Sequence, residues 1–180
     1  MTKGFPLAQR RFHYDLAFEH YLRANAIPYV AVDEAKRALS GAGGDPTKAS
    51  RKLKSFDFVV YSQNGLNLLV DVKGRKHAAS TGKSLQNWVT RDDVDSLAQW
   101  ATLFGAGFEA AFAFLFWCEA EPPDALFLEM FEFQGRWYAV QGIRLTDYQP
   151  HMRDRSAKWD TVSIPSKVFT EHARPLKQML

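Results

Sequence analysis

Hydrophobic residues recur near the start of the chain with the three- and four-residue spacing of a helix. The repeating positions are Phe12, Tyr14, Leu16, Phe18, Tyr21 and Leu22. This spacing, with no Pro or Gly among residues 9–25, predicts a helix over that range. A short strand over residues 29–32 follows Pro28, and residues 33–39 then form one or two helical turns. The glycine-rich run over residues 40–50 predicts a loop.

Two apolar runs next along the chain have the composition of buried β-strands. They cover residues 56–61 and 66–73, and Ser62-Gln63-Asn64-Gly65 between them is a turn sequence. Both runs place Val, Leu or Phe on both of their faces, which is typical of strands covered on two sides. We therefore expect an antiparallel hairpin in the interior of the protein.

The second half of the chain predicts a further helix, a long strand and a second hairpin. Thr90 can cap a helix that runs to Phe104, with Asp93 completing a capping-box-like pair. Residues 108–118 form a buried strand, and residues 127–133 and 136–143 form the hairpin, joined at Gln134-Gly135. A strand over residues 161–164 and a short helix after Pro165 complete the pattern. This order of elements predicts an α/β single domain over residues 1–180 with a mixed sheet.

Composition supports one globular domain and excludes several classes of protein. Of the 180 residues, 46% are hydrophobic and 24% are charged, which argues against intrinsic disorder. The longest apolar run, residues 110–118, is far shorter than the roughly 20 residues of a membrane-spanning helix. A single cysteine, Cys118, allows no intramolecular disulfide, and the first residues do not form a secretory signal. These features favour the cytoplasm.

Basic residues are concentrated in the first half of the chain. Residues 1–90 hold 14 basic and 7 acidic side chains, a net +7, whereas residues 91–180 hold 9 and 13, a net −4. Such asymmetry fits a phosphate-binding surface, but solvated lysines and arginines on any basic protein produce it too. Charge alone does not decide between these interpretations.

Three charged residues stand inside the strands of the first hairpin. Asp57 lies in the first strand, and Asp71 and Lys73 lie near the end of the second, where alternation places them on one face. Buried carboxylates are costly unless a cation accompanies them. Two interpretations follow: an internal ion pair between Asp71 and Lys73, or a bound metal ion.

The register of the hairpin tests the metal interpretation. A two-residue turn at Asn64-Gly65 places Asp57 opposite Val72, on the wrong face. A three-residue loop, or a bulge with the same effect, places Asp57 opposite Asp71 with Cβ atoms about 5 Å apart, close enough to share a divalent cation.

The order of these elements and acids resembles the PD-(D/E)XK nuclease superfamily. The runs FDFVVYSQNG (residues 56–65) and VDVKGRK (residues 70–76) are most similar to archaeal-type Holliday-junction resolvases. The resemblance covers roughly residues 10–118. It implies a restriction-endonuclease-like αβββαβ core with a mixed sheet, to which residues 124–180 add a C-terminal β-hairpin and a tail.

The resemblance also implies an active site. Asp57, Asp71 and the Val72 carbonyl would bind Mg²⁺ or Mn²⁺, and Lys73 would position the attacking water or stabilise the charge that develops at phosphorus. Glu19 would be the supporting acid on the first helix, and Glu34 is the alternative. The chain departs from the family pattern at Phe56, which replaces the eponymous proline, and at Asp71, the less common acid at its position.

The implied activity is Mg²⁺-dependent hydrolysis of DNA phosphodiester bonds, by an endonuclease or a resolvase-like enzyme, and the sequence does not separate branched from linear substrates. Four cations flank the implied site and are candidate phosphate contacts: Lys52, Lys54, Arg75 and Lys76. The sequence does not separate DNA from RNA. A homodimer would suit cleavage of two strands, but no sequence feature marks an interface.

Two other functions remain open from the sequence. One is a non-catalytic nucleic-acid-binding or scaffold protein that retains the nuclease fold and closes the charged residues into a buried salt bridge. The other is a protein-interaction module that uses the second hairpin, which would need an exposed apolar patch of several hundred Å². Convergence of Asp57, Asp71 and Lys73 on an open cleft would favour the nuclease.

Overall fold

A computed structural model describes residues 7–32, 53–78, 84–119 and 126–180 of the chain. The expected turns over residues 33–39, the loop over residues 40–50, Glu34 and Lys52 lie outside these ranges. The described helices are α1 (Leu7–Ala24), α2 (Arg91–Phe104), α3 (Leu145–Tyr148) and α4 (Ser166–His172). The described strands are β1 (Tyr29–Ala31), β2 (Phe58–Val60), β3 (Asn67–His77), β4 (Val89–Thr90), β5 (Phe108–Cys118), β6 (Met130–Phe133), β7 (Arg136–Arg144), β8 (Arg153–Ser156) and β9 (Thr161–Ser163).

Six strands form a mixed central sheet in the order β1-β2-β3-β5-β7-β6. β3 and β5 are parallel, and every other neighbouring pair is antiparallel. Two adjacent parallel strands need a long crossover, which α2 supplies between β3 and β5. The arrangement confirms the predicted mixed α/β fold, with an αβββαβ core and the hairpin of β6 and β7 added at one edge.

Both faces of the central sheet are covered, as the double-sided apolar pattern of the strands predicts. On one face, α1 packs Phe18 and Leu22 against residues such as Val70. On the other face, α2 packs Val94 and Leu97 against residues such as Phe112 and Leu69. Strands buried on two sides carry few polar residues, so a charged side chain on β3 needs partners of its own.

α2 begins where the capping signal predicts. The Thr90 hydroxyl accepts a hydrogen bond from the Asp93 backbone N–H at 3.1 Å, and the Thr90 N–H donates to the Asp93 carboxylate at 3.0 Å. The helix ends at Phe104, before Gly105, whose φ of 73° favours glycine. The capping box fixes the first turn of α2 above the face of β3 that bears the charged residues.

A second, three-stranded sheet has the order β4-β9-β8. The sequence predicts β9, but not β8, because Arg153-Asp154-Arg155-Ser156 contains no apolar residue from which a pattern is read. β8 is an exposed edge strand, and among the described residues it pairs with β9 alone. β9 is buried at Thr161 and Val162 and joins β8 to β4.

The second hairpin forms as predicted, although its first strand is shorter. β6 begins at Met130 and turns at Gln134 and Gly135, both with positive φ, into β7. β7 pairs along β5, so its residues 138–143 are buried in the central sheet. Among the described residues, no helix is long and apolar enough to cross a membrane.

Candidate active site

Asp57 and Asp71 meet because of the register between β2 and β3. The pairs are Phe58 with Val70, Val59 with Leu69 and Val60 with Leu68. Extended by one residue, this register sets Asp57 opposite Asp71, the alignment that the metal interpretation requires. Asp57 itself lies in a bend just before β2. Its backbone N–H donates to the Val70 carbonyl at 2.9 Å, which holds this bend against β3.

The Asp57 carboxyl occupies a position that disfavours negative charge. Burial raises the pKa of Asp57 well above 3.8, and the neighbouring charges of Asp71 and Asp15 raise it further. A hydrogen bond from the Val72 N–H at 2.7 Å opposes these effects without cancelling them. Asp57 and Asp71 also share a side-chain hydrogen bond, which raises the pKa of Asp57 further.

Lys73 lies on the same face of β3 as Asp71, as strand alternation predicts. Its ammonium contacts the Asp71 carboxylate at 2.8 Å and the Asp93 carboxylate at 2.9 Å. Burial lowers the pKa of Lys73, but the attraction of Asp71 and Asp93 outweighs burial and leaves the pKa raised. Lys73 is therefore held in its charged form.

Asp93 joins α2 to this cluster. Its side chain is 3% exposed and binds both Lys73 and Lys54. Burial alone would raise the pKa of Asp93, yet Lys73 and then Lys54 outweigh it and hold the pKa well below its usual range. Asp71, Asp93, Lys73 and Lys54 thus form one connected network of two acids and two lysines.

The ligands that the resemblance implies have suitable chemistry for a hard divalent cation. Carboxylate and backbone carbonyl oxygens are the donors that Mg²⁺ prefers. Asp57 and Asp71 approach closely enough to share a side-chain hydrogen bond, and a cation bound between them would offset the effects that raise the pKa of Asp57. Within the described ranges, no three or more His, Cys, Asp or Glu side chains gather as a metal-binding group. The ligand set that the resemblance implies is therefore two carboxylates and one carbonyl, and water would complete the coordination.

The predicted supporting acid, Glu19, is engaged elsewhere. Its carboxylate accepts hydrogen bonds from Arg23 and from the Tyr29 hydroxyl, both at 2.6 Å. The helix acid whose charge acts on Asp57 is Asp15, one turn earlier on α1. Sequence reasoning missed Asp15, although the four-residue spacing from Glu19 places both on one side of the helix.

The three described phosphate-contact candidates have different environments. Lys54 binds Asp93, and Lys76 is exposed and binds Glu119 at 2.5 Å. Arg75 is buried: its guanidinium lies over the Trp88 ring at 4.1 Å and donates to the Gly74 carbonyl at 2.7 Å. Burial lowers the pKa of Arg75 to about 10. As placed, Arg75 supports the interior and does not face solvent.

Sequence reasoning identified Asp93 as a helix cap but missed its contact with Lys73. The available signal was the position of the capping box, which begins the crossover helix between two parallel strands. A helix that packs on the β3 face brings its first turn toward the strand, and a capping acid there can reach a lysine.

The fold is that of a nuclease-like α/β domain with a curled mixed sheet. A solved structure with this fold is that of Hjc, a Holliday junction resolvase from Archaeoglobus fulgidus, an archaeal hyperthermophile. The likeness has a TM-score of 0.52 at 17% sequence identity, and it covers 93% of this chain and 98% of the resolvase chain. No protein-family model and no curated protein sequence matches the chain.

Proposed function

We propose that this protein is a metal-dependent nuclease of the PD-(D/E)XK type that hydrolyses phosphodiester bonds in DNA. The observation that carries the proposal is the position of Asp57 and Asp71, which the β2–β3 register sets opposite each other beside the charged Lys73. A purely structural ion pair needs one acid for one lysine. The second carboxyl, that of Asp57, has its pKa raised by burial and by Asp71 and Asp15, so a cation bound beside it would be stabilising.

Mg²⁺ or Mn²⁺ would be held by the carboxylates of Asp57 and Asp71 and the carbonyl of Val72. Such an ion would lower the pKa of a bound water and neutralise charge on the phosphate. The protein contributes the positions of its ligands: the β2–β3 register aligns the two acids, and the Val72 N–H on β3 donates a hydrogen bond that orients the Asp57 carboxyl.

Lys73 acts as a cation and not as a base. Because Asp71 and Asp93 raise its pKa, Lys73 keeps its proton at neutral pH and does not remove one from water. A fixed positive charge next to the ligands stabilises the negative charge that develops during phosphoryl transfer. Of the two roles that the resemblance implies for Lys73, charge stabilisation fits its environment better.

A non-catalytic scaffold that retains the fold is the second candidate, and one observation favours it. Lys73 is 14% exposed and already paired with two acids, so the charged residues form a closed cluster without further ligands. In that case the cluster would serve only to hold α2 against β3.

Cleavage of linear, nicked and four-way-junction DNA in Mg²⁺ separates the two candidates. We compare the wild type with Lys73→Met and with the matched variant Lys54→Met, since both lysines bind Asp93 but Lys73 alone also binds Asp71. The nuclease proposal expects Lys73→Met to lose at least about 100-fold in rate, as for loss of a transition-state charge contact. Lys54→Met should keep most of its activity.

Each result has a defined meaning. If the wild type cuts the junction much faster than linear DNA, the activity is structure-specific. If the wild type binds DNA in a salt-dependent way but cuts none of these substrates in Mg²⁺ or Mn²⁺, the scaffold interpretation replaces the nuclease.

A further inference from the structure

The hairpin of β8 and β9 projects a cationic edge and an exposed tryptophan from the second sheet. Arg153 and Arg155 lie on the exposed edge strand β8, and Lys158 and Trp159 lie in the turn that follows. Trp159 is 68% exposed, although it is the largest apolar side chain of the hairpin. These residues take no part in the capping of α2. They are also separate from the acid–lysine cluster, which consists of Asp57, Asp71, Asp93 and Lys73.

Two connections fix the hairpin relative to the acid–lysine cluster. The first passes through Arg91, whose backbone N–H donates to the Asp160 carbonyl at 2.9 Å and whose side chain binds Asp154 and Asp160. Arg91 is two residues from Asp93, which contacts Lys73. The first turn of α2 therefore holds the hairpin and the catalytic lysine at the same time.

The second connection passes through Trp88. The guanidinium of Arg155 lies over the Trp88 ring at 5.2 Å, and that of Arg75 lies over the same ring at 4.1 Å. Arg75 is two residues beyond Lys73 on β3, which is about 6.5 Å along a strand. A bulge between Asp154 and Ser156 inserts Arg155 into β8 as the extra residue. Such bulges redirect a side chain at a sheet edge.

The charge of this surface is unbalanced. Arg91 engages both aspartates of the hairpin, Asp154 and Asp160. Within the part of the chain that the structure describes, Arg153, Arg155 and Lys158 have no ion-pair partner. With Arg91, the surface holds four cations and two carboxylates, a net +2. A surface of this kind attracts a polyanion.

We propose that the β8–β9 hairpin is a DNA-binding element that grips the substrate strand next to the acid–lysine cluster. Arg153, Arg155 and Lys158 contact phosphates, and Trp159 stacks on an unpaired base. This inference rests on the proposed nuclease function and names its substrate class: DNA with unstacked bases beside the cleaved bond, as in branched or single-stranded DNA. Cations with an interleaved aromatic ring are the combination that binds single strands, because every base has a face on which to stack.

The test measures the affinity of the full chain for fluorescein-labelled DNA across a salt series without divalent metal. The probes are a four-way junction, a single strand and a blunt duplex. The variants are Arg153→Gln/Lys158→Gln and Trp159→Ala. The control is Lys167→Gln/Arg174→Gln, which removes the same charge from exposed positions outside the hairpin. Thermal unfolding of each variant checks that it is folded.

We expect the hairpin double variant to make the slope of log K against log salt shallower by about 1.4 to 1.8, which is the contribution of two phosphate contacts. The control variant should leave the slope unchanged. Trp159→Ala should weaken binding of the single strand and the junction by about 5- to 150-fold but leave the duplex nearly unaffected. Wild-type affinities in the folded hairpin variants, or equal losses in the control, would overturn the inference while leaving cleavage by the wild type intact. Failure of the nuclease proposal is read separately, from cleavage.

If the charged edge of β8 serves only to prevent strand pairing between copies, Arg153→Gln/Lys158→Gln should form dimers or aggregates and keep its DNA affinity. That result would also overturn the inference.

Discussion

Replacing Asp93 with asparagine should destabilise the protein mainly through Lys73. Asp93→Asn keeps an oxygen that can cap α2 from the same position, so the capping box survives. What the variant loses is the negative charge that faces Lys73 at 2.9 Å and also contacts Lys54. Lys73 is then left in the interior with Asp71 as its remaining acid.

The size of the effect follows from the burial of the pair. Breaking a buried ion pair costs about 3 to 5 kcal/mol, and the retained contact with Asp71 places this case at the lower end, about 3 kcal/mol. Lys54 adds little, because its side chain is 38% exposed and solvent screens the interaction. For a chain of this length, 3 kcal/mol corresponds to a fall in Tm of about 6 to 12 °C.

Urea unfolding of Asp93→Asn, Lys73→Met and the double variant measures this coupling directly. The double variant should lose less than the sum of the two single losses, because once either partner is gone the other contributes less. Thr90→Ala, which removes the hydroxyl half of the cap, serves as the control and should cost about 1 kcal/mol.

The pH dependence gives an independent check. The folded-state pKa of Asp93 is lowered, so its contribution is present above the unfolded value of 3.8 and is lost as the pH falls through the folded value. The difference between the wild type and Asp93→Asn should therefore shrink below pH 3.8. A single-variant loss under about 0.5 kcal/mol at pH 7, or a double variant whose losses simply add, would refute the reasoning.

Two further predictions concern the same strand and its neighbours. Asp57→Asn should abolish cleavage yet stabilise the protein by about 1 kcal/mol at neutral pH. The reason is that the pKa of this buried acid is raised in the folded protein, so the acid destabilises the fold as the pH rises from 3.8. Equal stability of the variant and the wild type in urea at pH 5 to 8 would contradict this prediction. Gly74→Ala should cost about 1 to 3 kcal/mol because its Cβ would lie 2.2 Å from the Tyr14 ring. Gly142→Ala is the matched control: its Cβ meets the flexible side chain of Met179, so thermal unfolding should show a smaller loss.

The course of the main chain was predictable where periodicity and turn chemistry agree. α2 and β5 have the predicted limits, because a capping residue, an apolar stripe and flanking glycines mark their ends. β8 was not predictable, since a polar edge strand acquires its structure from pairing with β9 and not from its own side chains.

The acids and the lysine of the candidate site were identifiable from the sequence alone. Asp57, Asp71 and Lys73 stand out because charged residues inside doubly buried strands are costly. The hairpin register was not decided by the sequence, because two turn lengths fit the same residues and give opposite faces. Pairing of β2 with β3 across both core layers selects the register that joins the two acids.

The sequence by itself determined which elements form and which charged residues need partners, because hydrophobic period and local capping act over a few residues. Only the tertiary structure decided which partners they have. Asp93 reaches Lys73, Asp15 acts on Asp57, and Glu19 turns to Arg23 and Tyr29, since electrostatic contacts depend on distances that packing sets. Lys73 and Asp93, like Asp15 and Asp57, are 20 or more residues apart in the chain, and they come together because two helices pack on opposite faces of one sheet.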